Sequence, residues 1–317
     1  MSTLAVVAPG AMGAAIAARL SASSAGTIFT NLDGRSEATI QRARASGMQH
    51  ASWSEIALRA AYIYSIVPPK DALAIAESII AAHATVAHER LTPLVFVDCN
   101  AVNPESMKRM AALFEGTGIT LLDGVVIGTP PTAEFNPAIY VSADPKDMVA
   151  LDEFTRVSNG FGLNVRPLKG EGAGIGDASA LKMAHSGIVK GTIGLFTTMI
   201  LAANAASPST ASGLAHALDF SQPALSDLLI RLLPEALPKA YRFVGEMEQV
   251  GGFVAAHASG AHVSDVASGP ATSPTFDGLA QIFARVAGVD ANEGTEGDVL
   301  LRFVEQAKEA RARAGRG

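Results

Sequence analysis

Apolar and polar positions follow two different rhythms along the chain. Up to about residue 168, short apolar runs recur at 4–7, 27–30, 61–67, 94–97, 119–122, 139–141 and 164–167, each bounded by glycine, proline or polar residues. Runs this short, separated by helical stretches such as 72–84, predict buried strands of a parallel sheet joined by crossover helices. Beyond about residue 170 the strand pattern stops. Apolar residues then recur at three- and four-residue steps over 225–233, 237–250, 278–286 and 299–314, the period of helical faces. The expected organisation is an α/β domain over residues 1–168 followed by an all-α domain over 169–317.

The longest helical pattern, about 174–206, would join the two. Ala180, Ala184, Ile188, Ile193, Phe196 and Ile200 share one face, with glycines at 170, 172, 174 and 176 ahead of it. Asp177 and Ser179 are available as N-caps, and Pro208 would stop the helix. Lys182 stands in its first turns. From Gly191 to Leu218 there is no Asp, Glu, Lys or Arg, yet Asn204, Pro208 and several Ser and Thr residues interrupt the stretch. It therefore reads as a helix buried between protein layers and not as a membrane span.

Composition narrows the partners. The chain has 317 residues, 49% of them hydrophobic and 17% charged, with a net charge of -6. That content supports large apolar cores and offers no basic footprint for nucleic acid or an anionic membrane, so a small-molecule ligand is expected. One cysteine, Cys99, excludes an intramolecular disulfide, and no basic leader precedes the first strand, which points to a reducing cytoplasm. The uncharged 191–218 stretch calls for a covering partner, expected to be a second copy in a homodimer.

The first strand runs straight into Ala8-Pro9-Gly10-Ala11-Met12-Gly13 and an alanine-rich helix. Strand, tight glycine turn and helix form a Rossmann-like start, in which free N–H groups and the positive helix end meet a pyrophosphate. Ala8 replaces the first glycine of the usual fingerprint. Gly10, Ala11, Met12 and Gly13 are the expected cradle. The second strand ends in Asn31-Leu32-Asp33-Gly34-Arg35-Ser36, where such folds read the adenosine ribose. Asp33 would favour NAD; Arg35 and Ser36, beside the space left by Gly34, suit the 2′-phosphate of NADP. NADP is the expected cofactor, with Asn31, Arg35 and Ser36 contributing, and NAD less so. Two loops, 98–104 and 123–131, fall at strand ends where ligands bind in such sheets.

These landmarks, in this order, resemble the β-hydroxyacid dehydrogenase and 6-phosphogluconate dehydrogenase superfamily: the glycine turn, Val67-Pro68-Pro69, the Asp98 loop, the Asp123 loop and a lysine in a glycine-led helix. The segment 240–248 resembles a subgroup whose helical domain has no assigned function. The resemblance implies a Rossmann-like first domain, a long interdomain helix, a dimer and no metal. It implies an oxidoreductase that interconverts a hydroxyl and a carbonyl, with Lys182 as general acid/base. Burial beside a cationic ring would ease deprotonation of that lysine. Val67 and Pro68 would line the cofactor. Asn100 and the loop bearing Gly124, Val125 and Gly128 would hold the substrate.

The chain departs from that pattern where the family is polar. Ser186 stands for the family's Asn, beside His185, which is available as a replacement donor. Asn100-Ala101 stand for Ser-Thr, and Ile127-Gly128-Thr129 for Ser-Gly-Gly. A larger, less polar substrate than a simple 3-hydroxy acid is the expected consequence. Imine reduction on the same scaffold and a catalytically silent NADP-binding regulator are the alternatives. The seven histidines show no close ligand pair, and His216, His257 and His262 read as packing or surface residues. Arg242, Glu246 and Glu248 fit either a pocket for an acidic group or a solvated face.

Overall fold

Leu4 and Val6 enter one apolar cluster and Ala5 and Val7 another, so the first strand is buried on both sides, as its unbroken apolar run requires. The computed structural model describes residues 3–23, 25–257, 273–289, 292 and 294–314. His262 lies outside the described residues. In order, the elements are β1 (Leu4–Val7), α1 (Ala11–Ala22), β2 (Ile28–Thr30), α2 (Glu37–Ala45), β3 (Met48–His50), α3 (Trp53–Arg59), β4 (Tyr62–Ser65), α4 (Ala72–Val86), β5 (Leu94–Asp98), α5 (Pro104–Phe114), β6 (Ile119–Ile127), β7 (Ala138–Ser142), α6 (Met148–Gly160) and β8 (Asn164–Pro167). Helices α7 (Asp177–Ala206), α8 (Pro208–Ser221), α9 (Pro223–Ala236), α10 (Ala240–His257), α11 (Pro274–Val286) and α12 (Glu296–Ala314) follow.

The eight strands make one sheet in the order β3-β2-β1-β4-β5-β6-β7-β8. Every pairing is parallel except β6 with β7. The strand order reverses between β1 and β4, and the crevice beyond their C-terminal ends is where a doubly wound sheet binds its ligand. Hydrogen bonds from Ala8 N to Ile66 O (3.2 Å) and from Cys99 N to Ser65 O (2.8 Å) carry the pairing past the strand ends.

The chain forms two compact units, Met1–Lys182 and Met183–Gly317, so the glycine run and the first turns of α7 pack with the sheet. The first unit has apolar clusters on each face of the sheet, one around Tyr64, Val97 and Phe154 and the other around Phe29, Ile63 and Phe96. The second unit is helical and closes around Met183, Ile193, Ile200, Met247, Phe283 and Phe303. By length and composition α7 could cross a membrane, with a mean hydropathy of 1.4. Met183, Ile193 and Ile200 instead place one of its faces in this core.

Three sequence expectations change here. The segment from Asp123 to Ile127, read as a loop, is the second half of β6. Its polar opening residues are satisfied by tertiary contacts, which a local pattern cannot display. Asp177 and Ser179 do not cap α7: Asp177 Oδ2 accepts from Gly174 N (2.8 Å), and Ser179 Oγ donates to Asp123 Oδ1 (2.8 Å). Ile188, read on one face with Ile193 and Ile200, is exposed while those two are buried. Pro208 follows the end of α7, as expected, and starts α8, whose first turn is capped by Ser207 accepting from Thr210 N at 3.0 Å.

Candidate functional site

The turn after β1 is built for close backbone approach. Gly10 N donates to Ala8 O (2.9 Å), and Ala14 N donates to Gly10 O (2.9 Å). A Cβ on Gly13 would lie 2.1 Å from the Ala8 carbonyl oxygen, so no other residue fits this turn unchanged. No side chain caps the first turn of α1, and Gly10 and Ala11 are exposed. A helix start in this state presents N–H groups and positive dipole to an anion.

Beside it lies a cavity of about 310 Å³ lined by Ala8, Arg35, Val67, Pro68, Asp71 and the first turns of α4, including Ile75. Arg35 is exposed. Ser36 occupies the N-cap position of α2, with its hydroxyl 3.0 Å from Thr39 Oγ1. Asn31 is buried and fully engaged: Nδ2 donates to Asp33 Oδ2 (2.9 Å) and Ala51 O (3.2 Å), while Oδ1 accepts from Asp33 N (3.2 Å). Asn31 thus shapes the loop that carries Arg35. Asp33 points to Asn31 and His50, 3.6 Å from its Nε2, and does not line the cavity.

At the C-terminal ends of the central strands the register aligns Ser65, Asp98, Asp123 and Ser142 in one polar rung. All four are fully buried. Asn100 ties the rung to the cavity. Its Nδ2 donates to Asp98 Oδ1 (2.5 Å) and Ser65 Oγ (3.1 Å), its N donates to Asp98 Oδ2 (3.3 Å), and its Oδ1 accepts from Val67 N (2.7 Å). The Asn100 side chain is spent inside the protein, where it fixes Val67. Burial, with the neighbouring Asp123 charge second, pushes the Asp98 carboxyl up to about 7. Burial also pushes Asp123 up to about 6, against the hydrogen bonds it accepts.

Those bonds hold the start of α7. Asp123 Oδ2 accepts from Gly176 N (3.0 Å), Ser179 N (3.0 Å) and Ser142 Oγ (3.3 Å), and Ala178 N donates to Ser142 Oγ (3.1 Å). A carboxylate here satisfies helix N–H groups that would otherwise be buried without partners and complements the helix dipole. Lys182 follows one turn later, and its Nζ donates to the Val126 carbonyl at 2.9 Å. Burial lowers the Lys182 pKa below the ordinary lysine range.

The other expected substrate residues separate. Gly124 lies within β6, where a Cβ would come 3.0 Å from Asp98 O, so close strand packing accounts for it. Val125 is buried among the strands. Gly128 has φ +128°, and a Cβ would meet Phe135 Cζ at 2.7 Å, so it serves the turn out of β6. Ser186 belongs to the second unit, buried and accepting from Lys190 Nζ at 3.0 Å, while His185 is exposed on α7. Lys190 pairs with Glu246 and lies 5.1 Å from the Phe243 ring centroid; Arg242 and Glu248 are exposed. Among the described residues no cluster of three or more His, Cys, Asp or Glu side chains is placed to hold a metal ion. The aspartate rung went unread in the sequence, although its signal was present: LVFVD and ITLLD each end an apolar strand in a carboxylate.

Comparison with known proteins agrees with this geometry. Residues 3–158 match the NAD binding domain of 6-phosphogluconate dehydrogenase, and residues 205–286 match a domain of unknown function, DUF1932. No curated protein matches the chain in sequence. Among solved structures, a conserved hypothetical protein from Sinorhizobium meliloti is 21% identical with a TM-score of 0.70, covering 96% of this chain and 97% of that one. Mycobacterium tuberculosis 3-hydroxyisobutyrate dehydrogenase, solved with L-serine, is 16% identical with a TM-score of 0.66 over 95% and 99%. A variant imine reductase from Myxococcus stipitatus, in complex with NAD+, is 18% identical with a TM-score of 0.51 over 96% and 99%. These likenesses show a hydroxyacid-dehydrogenase fold.

Proposed function

Starting from a chain whose first half is an NAD binding domain of the 6-phosphogluconate dehydrogenase type, we propose that the protein is an NADP-dependent oxidoreductase of the cytoplasm that interconverts a hydroxyl and a carbonyl. The residues fit a dinucleotide: a Cβ at Gly13 would fill the cradle, the start of α1 is uncapped, and Arg35 borders the neighbouring cavity. Backbone N–H groups of Gly10 to Gly13 would take the pyrophosphate, Val67 and Pro68 would pack on the adenosine side, and Arg35 with Ser36 would take the 2′-phosphate. The nicotinamide, when bound, supplies or accepts the hydride.

The observation that carries the reading is the Lys182 ammonium, half-buried and donated to the Val126 carbonyl on a helix anchored at the strand ends. In reduction, Lys182 gives a proton to the carbonyl oxygen as hydride reaches the carbon, and solvent restores the ammonium. In oxidation, the neutral amine takes the hydroxyl proton. Desolvation brings the two protonation states closer in free energy, as an acid/base working near neutrality requires. An Asn100 whose amide is spent internally, followed by Ala101, supports a substrate less polar than a small hydroxy acid.

The test follows NADPH absorbance at 340 nm across a panel of ketones, aldehydes and imines. Lys182→Met keeps the aliphatic stem and should slow turnover by ~10² to 10⁴-fold with cofactor affinity unchanged. A folded Lys182→Met protein that keeps more than about a tenth of the rate assigns proton transfer elsewhere. Turnover of imines alone would favour the imine reductase reading, and tight NADPH binding without turnover a silent regulator.

A further inference from the structure

The strand β6 touches α7 twice. Asp123 accepts two backbone N–H groups and the Ser179 hydroxyl from the start of the helix, and the Val126 carbonyl, three residues along the same strand, accepts Lys182 Nζ. Ser179 and Lys182 are also three apart, so they share one face of α7 and lean on one strand. We propose that Asp123 is a positioning residue for Lys182: by capping α7 from inside the sheet it sets the height and rotation of the helix at which the lysine reaches the Val126 carbonyl. This rests on the reading of Lys182 as the acid/base.

The alternatives to this cap are absent from the local chain. Asp177 is turned back to Gly174 N, Ser142 Oγ takes Ala178 N and itself donates to Asp123, and Asp144 Oδ1 accepts from Ile175 N (3.4 Å) ahead of the helix, so Gly176 N and Ser179 N are left to Asp123. Glycines 170, 172, 174 and 176 precede the helix, and three of them have positive φ: Gly170 (+147°), Gly172 (+77°) and Gly176 (+102°). A lead of this kind costs more backbone entropy to order and imposes little direction. The helix start is therefore placed by what holds its N–H groups. Asp123 in turn has its own place set, since it pairs in register with Asp98 on β5 and Ser142 on β7. Loss of the carboxylate would let the first turn fray or shift while both apolar clusters of the sheet unit persist, so the effect falls on Lys182 before it falls on the fold.

The experiment reads Lys182 directly. The full-length protein is labelled with trace acetic anhydride between pH 6 and pH 11, and the labelling of each lysine is followed by mass spectrometry, with Lys146 and Lys169 as internal references. In Asp123→Asn, the half-labelling pH of Lys182 should rise towards that of an ordinary lysine, and its limiting rate at high pH, where the amine is neutral, should rise about fivefold as the helix start opens, while the references hold still. On any substrate the 340 nm panel yields, kcat should fall about tenfold or more with KM nearly unchanged. A folded Asp123→Asn protein whose Lys182 keeps its half-labelling pH and, within about twofold, its limiting rate overturns the proposal, as does an equal rise at Lys146 and Lys169, the mark of general loosening. If Asp123→Asn does not fold by circular dichroism, Ser179→Ala decides. It removes the partner of Asp123 Oδ1 and keeps the backbone cap, so a smaller rise confined to Lys182 supports the proposal and no change overturns it. Labelling needs no substrate, so a failed oxidoreductase reading and a failed positioning role remain separate results.

Discussion

Asp98 and Asp123 stand opposite each other on the paired strands β5 and β6, both with no exposed surface. Burial, with the Asp123 charge second, raises the cost of ionising Asp98, whose carboxyl is pushed up to about 7 from an ordinary value near 3.8. Between those values the folded protein holds a proton that the unfolded chain has released. Stability from this group is therefore fully present below about pH 4 and lost as pH rises through about 7. Asp98→Asn removes the titration. Urea unfolding of native and variant proteins at pH 4.5 and pH 8 should show the variant gaining on the native protein by on the order of 3 kcal/mol across that interval. Parallel stability curves would contradict the buried titration.

Arg35 borders the cavity beyond β1, while Asp33 is held towards Asn31 and His50. NADPH should bind more tightly than NADH in a fluorescence titration. Arg35→Ala should weaken NADPH by about 1.5 to 3 kcal/mol, the scale of a charge-assisted hydrogen bond, and leave NADH nearly unchanged. Tighter NADH binding by the native protein would reverse the assignment.

Gly13 has no room for a methyl group, with the Ala8 carbonyl oxygen 2.1 Å from a Cβ position. Gly13→Ala must displace either the turn or α1. We expect a loss of about 1 to 3 kcal/mol in stability and at least about tenfold in dinucleotide affinity, checked by denaturant unfolding and the same titration. Gly10→Ala, with nothing within 4 Å, is the matched control and should be mild in stability.

Ile188, Leu195 and Met199 are 72%, 57% and 52% exposed on α7. Steps of seven and four residues put them on one helical stripe, a seam that a second copy would cover. A homodimer is proposed on this basis. Light scattering with gel filtration should report about twice 32.6 kDa without detergent, and Leu195→Glu combined with Met199→Glu should give a monomer. A native monomer at micromolar concentration, or a need for detergent, would remove the proposal.

Much of the architecture was legible in the chain itself. Apolar runs marked most strands because buried strands admit few polar residues, and the three-to-four-residue period marked the helices of the second unit. The glycine turn was legible for the same kind of reason: a backbone that must pass close to another backbone excludes a side chain, and Gly13 records that exclusion. Several elements escaped, the helices α5 and α6 among them. The three-residue strand β3 and the surface helix α2 carry too few apolar positions to show a period.

What the sequence determined by itself is therefore what depends on local periodicity and local sterics: strands before helices, a glycine cradle after β1, an apolar helix bearing Lys182. What only the tertiary structure decided is which polar atoms satisfy one another. Asp123 read as a loop residue because its partners, Gly176, Ser179 and Ser142, lie 19 to 56 residues away in sequence. Asn100 read as a substrate contact until Val67, Ser65 and Asp98 were seen to use its amide. A buried polar group takes its role from the donors and acceptors around it, and those neighbours are chosen by strand order and register, which no local pattern encodes.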